Sequence, residues 1–470
     1  MRLNDWYLYS EKPTMGREFV IQVFFCVIVC SSLMMVFVFN ANESVKVRKK
    51  SQNGIGDDAL GSSTKLLSED GRNDLYAGKI KRSRAMKGYT NPSRNSSDGA
   101  DFVVNHANGS TSYTENRVLY KLYKASQNPS YDCVIRILKH HRPLDEEVYM
   151  NNEEWVRSSC EGTPCSIEVR YSLDLRDFWD SDVVVLMEGA FGSYEWKYLL
   201  RARPPGQMWM LYAKECPVHE PQLSPPSDLF SSNPYNLSMT YRSGSDIYNP
   251  YGYFVRDRPC GVKNLKKSEL MMWMASRCNP LGWERAKFVQ SLKKHLTVNT
   301  YGRCGTLECP KNDRDSCLSK MRKYKFYLSL ENSECAEYIT EKMWRNAFDN
   351  GMIPVVFGAR KEDYVRFAPP NSFIYLNDFS TMEEFVEYIN LLDRNETLYN
   401  KYFEWRKLGR VYYGAGRKST MQPSGLCKLT KKLVEIGKDP QNSWRAQNPN
   451  FRKWWTGSCV HQKELLGVRI

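Results

Sequence analysis

Two polar groups that lie beyond apolar runs are the residues of this chain best suited to chemistry. The first comes after the run 326–330, where Thr340 is placed to cap a helix and Lys342 adds a positive charge. A capped helix entrance presents unpaired backbone N–H groups and the positive end of the helix dipole, so it favours an anion. A diphosphate would fit there. From these residues alone, a capped surface helix with Glu341 and Lys342 in solvent is the stronger alternative.

The second polar group is Glu215, which follows the apolar run 208–212. A carboxylate just past a buried strand is well placed to take a proton from a hydroxyl, as general base catalysis requires. His219, four residues later, is suited either to contact a substrate or to bond the backbone. A solvated loop glutamate is the alternative explanation for Glu215 when the residues are taken alone.

The elements that would position these groups form an α/β pattern. The run 326–330, a helix that buries Met343 and Ala347, and the run 353–357 closed by Gly358 predict a βαβ unit. The runs 271–275 and 296–301 flank a predicted helix over 283–295 and predict a second unit. Further buried strands are predicted at 132–138, 182–187 and 208–212. Sites in such sheets lie past the carboxyl ends of the strands.

Metal chemistry finds little support in the sequence. Asp180 and Asp182 form a DxD pair, but they precede a strand, which favours cap and turn roles over a metal site. Cys304, Cys309 and Cys317 lie in one compact loop, where disulfides are favoured over zinc and the pairing cannot be deduced. We therefore predict no metal site.

Three blocks of sequence resemble the α1,3-fucosyltransferases, glycosyltransferase family 10. The motifs ENS, YITEK, RNA and PVV-G follow one another within residues 331–358, and RPPGQ precedes a strand that leads to ECPVH. The family pattern for the last block is E-S-P-x-H, so Cys216 replaces a serine. The segment 236–254 also matches, except that Ser243 and Gly244 replace a pair that is commonly basic and acidic.

The resemblance implies a fold, a reaction and a set of residue roles. The fold is α/β of the GT-B type, in which two Rossmann-like lobes face each other across a cleft. The enzyme moves L-fucose from GDP-β-L-fucose, with inversion, in α1,3 linkage to a GlcNAc residue of a glycoprotein or oligosaccharide acceptor. The resemblance makes Glu215 the base and His219 and Tyr251 contacts to the acceptor. It assigns the donor contacts to Arg285, Asn332, Tyr338, Thr340, Glu341 and Lys342.

The resemblance implies no cofactor for the chemistry and leaves stimulation by a divalent ion open. The chain has 470 residues, a net charge of +14 and 14 cysteines. Its basic residues are scattered and accompany no nucleic-acid-binding motif, so we predict no nucleic-acid partner. An anionic nucleotide sugar and a nearby membrane surface explain the charge.

The N-terminal region predicts a membrane anchor. Residues 19–39 carry no charge and are long enough to span the hydrocarbon as one helix. A cleaved signal peptide is the alternative, but the length of the run and the lack of a small-residue cleavage site favour an uncleaved anchor. The predicted N-glycosylation sites all follow it and place the body in the lumen: Asn95, Asn108, Asn236 and Asn395.

The predicted organisation is that of a single-pass type II Golgi membrane protein. It comprises a cytosolic tail (1–18), the span (19–39), a disordered lumenal stem (40–129), an acceptor-side lobe (130–255), a GDP-fucose-binding lobe (256–409) and a C-terminal tail (410–470). An inactive glycan-binding relative and a transferase that uses another nucleotide sugar are the alternative functions. The choice between a lactosamine antenna and the innermost GlcNAc of an N-glycan stays open, as does the oligomeric state.

Overall fold

The computed structural model describes residues 103–106, 109–112, 116–140, 154–187, 193–226, 233–256, 259, 266–280, 282–309, 313–414, 416–438 and 450–470. The predicted cytosolic tail and membrane span, together with Asn95 and Asn108, lie outside these ranges. Among the helices within them, none combines the length and the apolar character needed to cross a bilayer.

A seven-stranded sheet forms the centre of the N-terminal lobe. Two short strands, β1 (Val103–His106) and β2 (Gly109–Ser112), pair antiparallel ahead of it. The seven strands are β3 (Val134–Lys139), β4 (Val156–Ser158), β5 (Ser166–Tyr171), β6 (Val183–Met187), β7 (Met208–Ala213), β8 (Leu237–Thr240) and β9 (Ile247–Tyr248). Their spatial order is β4-β5-β3-β6-β7-β8-β9, and only β4 runs antiparallel to its neighbour. The three strands predicted for this lobe are confirmed.

Three helices pack on this sheet: α1 (Arg117–Gln127), α2 (Leu175–Asp180) and α3 (Ser193–Ala202). Asn116 caps α1 by accepting hydrogen bonds from the backbone N–H groups of Val118 and Leu119. The side chains of Val118, Leu119 and Leu122 are buried in the core of the lobe. The predicted stem, 40–129, therefore extended too far, because α1 belongs to the folded body.

A five-stranded parallel sheet forms the centre of the second lobe. In spatial order its strands are β12 (Val298–Tyr301), β11 (Glu269–Met274), β13 (Tyr324–Leu330), β15 (Ile353–Phe357) and β16 (Ile374–Tyr375), so the two predicted βαβ units lie side by side in one sheet. Strands β10 (Gly252–Val255) and β14 (Glu334–Cys335) also belong to this region. The helices are α4 (Arg285–Leu292), α5 (Arg314–Met321), α6 (Lys361–Phe367), α7 (Met382–Arg394) and α8 (Glu396–Lys401).

The helix between β13 and β15 differs from its prediction in winding. It is a π-helix over Lys342–Ala347 that tightens into a 3-10 turn over Phe348–Asn350. Gly351 ends it with a φ of 63°, a left-handed conformation that suits glycine. The wider helix buries Trp344, whose indole N–H donates to the Ile339 carbonyl at 3.0 Å. A π-helical turn of this kind is often found at functional sites.

The predicted C-terminal tail is part of the folded body. Helix α10 (Pro423–Lys438) packs Leu426, Leu429 and Leu433 into the core of the N-terminal lobe, where a disulfide joins Cys160 to Cys427. The elements of this region are β17 (Arg410–Tyr413), α9 (Arg417–Met421), α10 (Pro423–Lys438), α11 (Phe451–Trp454), β18 (Cys459–Val460), β19 (Glu464–Leu465) and β20 (Val468–Arg469). Strand β18 pairs with β14 of the second lobe, so this region contacts both lobes.

Candidate functional site

The carboxylate of Glu215 lies where strand β7 ends and the chain turns toward the second lobe. All six residues of β7 are buried, whereas the Glu215 side chain is 29% exposed. The hydroxyl of Tyr338, from the second lobe, donates a hydrogen bond to Glu215 Oε2. The Nδ1 atom of His219 is 3.8 Å from the same oxygen. Glu215 is thus fixed on one side and open to solvent, which is the geometry that a proton acceptor needs.

His219 is held by neighbours on both sides of its ring. Its Nδ1 donates to Glu220 Oε1 at 3.2 Å, and its Nε2 contacts the Arg277 guanidinium of the second lobe. The hydrogen bond with Glu220 raises the pKa of His219. His219 was predicted as an acceptor contact, but here it bridges the two lobes beside Glu215.

Lys214 and Tyr251 form a bonded pair beside Glu215. The Lys214 ammonium donates to the carbonyls of Asn249 and Pro250 at 2.9 and 3.1 Å and lies 4.6 Å from the centre of the Tyr251 ring. The Tyr251 hydroxyl donates back to the Lys214 carbonyl at 2.7 Å. Burial lowers the pKa of Lys214 to about 8. Tyr251, predicted as an acceptor contact, therefore packs at the junction between the lobes.

A buried charge network organises the end of β13. Glu331, 1% exposed, follows this strand directly and accepts hydrogen bonds from the Thr340 backbone N–H, the Thr340 hydroxyl and the Lys342 ammonium, at 2.8, 2.8 and 2.9 Å. Lys342 also approaches Glu341 at 3.4 Å. Although burial opposes its charge, Glu331 and Glu341 raise the pKa of Lys342. The ammonium predicted to meet a diphosphate is therefore fixed and charged.

The predicted cap at Thr340 is long and weak. The Thr340 oxygen accepts from the Lys342 backbone N–H at 3.5 Å, while the Thr340 hydroxyl donates to Glu331 at 2.8 Å. Gly358 lies against this network with a φ of 136°, and a Cβ atom there would come within 2.5 Å of the Glu331 side chain. Only glycine fits this close approach without a shift of Glu331.

Arg285 lies at the same edge of the sheet. It is 9% exposed, and its guanidinium donates at 3.2 Å to the carbonyls of Leu330, at the end of β13, and Arg277, beyond the end of β11. Burial lowers the pKa of Arg285. Arg285 thus places positive charge next to Glu331 and Lys342 and ties together the loops that would surround an anion.

Asn332 and Tyr338 were predicted to contact the donor, but both face the N-terminal lobe. The Asn332 amide oxygen is 3.9 Å from the Cys216 sulfur, and the Tyr338 hydroxyl is bonded to Glu215. Sequence reasoning missed Glu331 and Arg277 as members of the site. The available signal was their position, because each lies within three residues of the end of a strand, as Glu215 does.

The residues considered and rejected as metal ligands have other partners. Asp182 forms an ion pair with Lys121 at 2.6 Å and accepts from the Arg136 backbone N–H. The loop cysteines form the disulfides Cys278–Cys304 and Cys309–Cys317, and the other disulfides are Cys133–Cys165, Cys160–Cys427 and Cys335–Cys459.

Within the described ranges, one group of three potential ligands brings its atoms within 4.8 Å of one another: Cys216, Cys335 and Cys459. Because two of these are linked as a disulfide, they offer no pair of thiolates to a metal ion.

Two predicted N-glycosylation sites fall in described segments. The Asn236 side-chain oxygen accepts from the Trp209 backbone N–H at 2.8 Å and from Arg203. The Asn395 oxygen caps α8 by accepting from the Leu398 backbone N–H at 3.0 Å. Their modification stays a prediction.

Two family models of known proteins match this chain. The model "Fucosyltransferase, N-terminal" matches residues 135–252, and "Glycosyltransferase family 10 (fucosyltransferase) C-term" matches residues 264–449, so together they cover more than half of the chain.

The human 4-galactosyl-N-acetylglucosaminide 3-alpha-L-fucosyltransferase FUT6 is 36% identical over 258 residues, which are 54% of this chain and 66% of that protein. The Drosophila melanogaster glycoprotein 3-alpha-L-fucosyltransferase A is 36% identical over 218 residues, 44% of this chain and 42% of that protein. The chain spans about half the length of the curated relatives it matches. A crystal structure of an alpha1,3-fucosyltransferase, 18% identical, covers 68% of this chain and 94% of its own with a TM-score of 0.45.

Proposed function

Because the chain belongs to glycosyltransferase family 10, the fucosyltransferases, we propose that it transfers L-fucose from GDP-β-L-fucose in α1,3 linkage to a GlcNAc residue of a glycan. The observation that carries this proposal is the position of Glu215. An accessible carboxylate of one lobe lies near a buried network of the other that fixes the Lys342 ammonium, and the charge of Glu215 acts on Lys342. This pairs a proton acceptor with a site for an anionic leaving group.

Glu215 is the base in this proposal. As the acceptor O3 attacks the anomeric carbon, its proton passes to the Glu215 carboxylate. The bond between that carbon and the β-phosphate oxygen breaks, and GDP leaves from the opposite face. A β-fucosyl donor then gives an α-fucoside, so the configuration inverts.

Lys342 and Arg285 take up the negative charge that grows on departing GDP. Both cations are fixed before the donor binds, by Glu331 and by backbone carbonyls respectively. Preorganised charges need not reorganise as the transition state forms, which is why they are effective in catalysis. Glu341, whose side chain is 49% exposed, is free of the core and faces solvent beside Lys342, where it would contact the sugar or ribose of the donor.

The two sheets support a GT-B arrangement, with the acceptor bound mainly by the N-terminal lobe and the donor by the second. We place the protein in the Golgi membrane as a single-pass type II protein, with its body in the lumen, where five disulfides among the described cysteines would be stable. The glycan acceptor is a glycoprotein or an oligosaccharide that carries GlcNAc. GDP-fucose is the donor substrate, and we propose no resident cofactor.

The donor is tested by incubating the purified full-length chain with radiolabelled nucleotide sugars and a broad panel of GlcNAc-containing acceptors. We expect transfer from GDP-fucose and none from GDP-mannose, which shares the nucleotide, or from UDP-sugars. Transfer from a UDP-sugar but not from GDP-fucose would mean that the donor assignment is wrong. A lack of transfer to every acceptor would favour a glycan-binding protein without activity.

A further inference from the structure

Tyr338 belongs to the second lobe but is buried in the core of the first. Its side chain is 1% exposed, and its ring packs 5.1 Å from the ring of Tyr241 and 6.3 Å from that of Tyr251, measured between centroids. Both partners lie in the N-terminal lobe. The Tyr338 ring is thus inserted across the boundary between the lobes, and its direction is set by aromatic packing.

This packing aims the Tyr338 hydroxyl at Glu215. The hydroxyl donates to Glu215 Oε2, whereas His219 Nδ1, at 3.8 Å from that atom, is beyond hydrogen-bonding distance. Glu215 lies in a turn after β7, and its side chain would otherwise have several rotamers available. The hydrogen bond from Tyr338 holds Oε2 of the carboxylate in place and leaves Oε1 as the oxygen that can accept a proton.

The loop that carries Tyr338 also carries the donor network. Thr340 and Lys342, which bond to Glu331, follow within four residues. The loop is clamped on its other side because Glu337, at a positive φ of 61°, donates its backbone N–H to Asp363 and accepts from the Ser243 backbone N–H at 2.7 Å. A shift of the donor network would therefore move the hydroxyl that holds Glu215.

We propose that Tyr338 is a positioning residue that orients the Glu215 carboxylate and couples it to the donor network. The inference rests on the proposed function, in which Glu215 is the base. During transfer Oε1 accepts the acceptor proton while Oε2 stays bonded to the Tyr338 hydroxyl, and Tyr338 itself neither gains nor loses a proton. A misplaced catalytic group commonly costs one to two orders of magnitude in rate.

Tyr338→Phe removes only this hydroxyl, and Tyr241→Phe is its matched control. Tyr241 is also buried, packs against the same ring, and its hydroxyl has no hydrogen-bond partner within the described part of the chain. In the full-length protein we expect Tyr338→Phe to lower kcat about 10- to 100-fold with GDP affinity within about twofold. Tyr241→Phe should keep the wild-type kcat, and the two variants should have similar melting temperatures.

Introducing Tyr338→Phe into the Glu215→Asp variant distinguishes a positioning role of Tyr338 from a general loss of structure. Glu215→Asp withdraws the carboxylate by one methylene, so the Tyr338 hydroxyl no longer reaches it. Adding Tyr338→Phe to Glu215→Asp should lower kcat less than about twofold, because the two changes act on one interaction. Equal losses in both backgrounds, or a wild-type kcat in Tyr338→Phe, would overturn the inference while leaving the proposed function intact. Absence of fucose transfer by the wild-type chain would overturn both.

Discussion

Glu215→Gln is expected to lower kcat for fucose transfer by a factor of about 10² to 10⁴, the range that a general base contributes. The amide has the size of the carboxylate but cannot take the acceptor proton. It can still accept a hydrogen bond from the Tyr338 hydroxyl, so the local geometry should persist. GDP affinity should stay within about twofold, because the nucleotide is assigned to the other lobe. Steady-state kinetics and calorimetric titration with GDP measure the two effects separately.

Asp174→Asn is the matched control for this substitution. Asp174 is a partly exposed carboxylate of the same lobe, where it caps α2 and pairs with Arg176. The same chemical change there should alter kcat by less than about twofold, since a surface cap and ion pair contribute little beyond local stability. Wild-type turnover by Glu215→Gln would show that another group accepts the proton.

Lys342→Met should weaken both the fold and the binding of GDP. It removes the cation that pairs with Glu331, whose carboxylate is 1% exposed and would be left buried without compensation. Breaking a buried ion pair in this way costs about 3–5 kcal/mol of unfolding free energy. Because the pKa of Lys342 is raised above 10.5, the stability from this pair should be present below about pH 10.5 and lost only at higher pH. Chemical denaturation monitored by fluorescence measures the stability.

The double variant Glu331→Gln/Lys342→Met separates stability from function. With both members of the pair removed, neither is left buried without the other, so most of the lost stability should return. GDP affinity and kcat should stay low, because the cation beside the leaving group is still missing. If GDP affinity recovers together with stability, Lys342 has a structural role alone and the phosphate contact must be assigned elsewhere.

The sequence predicted β6, β7, β13 and β15 well because each contains a run of apolar residues. The segments around β6, β7, β13 and β15 are buried on both faces, and such strands appear in a sequence as nearly continuous apolar runs. It also placed Glu215 just past the end of β7 and the segment 340–342 at the start of the helix that follows β13. The π-helical winding was not predictable, because Met343 and Ala347 fit an α-helical stripe equally well and the wider turn depends on the packing of Trp344 against Gly252.

Contacts between the lobes could not be read from the sequence. Tyr338 stands three residues after Cys335 and two before Thr340, and nothing in that spacing indicates that it reaches a carboxylate 123 positions earlier in the chain. The same holds for β14 and β18, which are two residues long and pair across 124 positions, joined by Cys335–Cys459. Strands this short carry no periodic signal.

Helix α1 was missed for a different reason. Its apolar residues Val118, Leu119 and Leu122 are few and follow a long polar region, so the composition of the surroundings outweighed the local pattern. Its N-cap, Asn116, was the available signal.

Inverting transfer of fucose with Glu215 as the base is best tested by NMR analysis of the product that the chain makes from GDP-β-L-fucose and a defined GlcNAc-terminated or lactosamine glycan. We expect an α-L-fucosyl residue on O3 of GlcNAc, formed by the wild-type chain and nearly absent with Glu215→Gln. A β-fucoside, which would mean retention of configuration, or a product of equal yield with Glu215→Gln would contradict it.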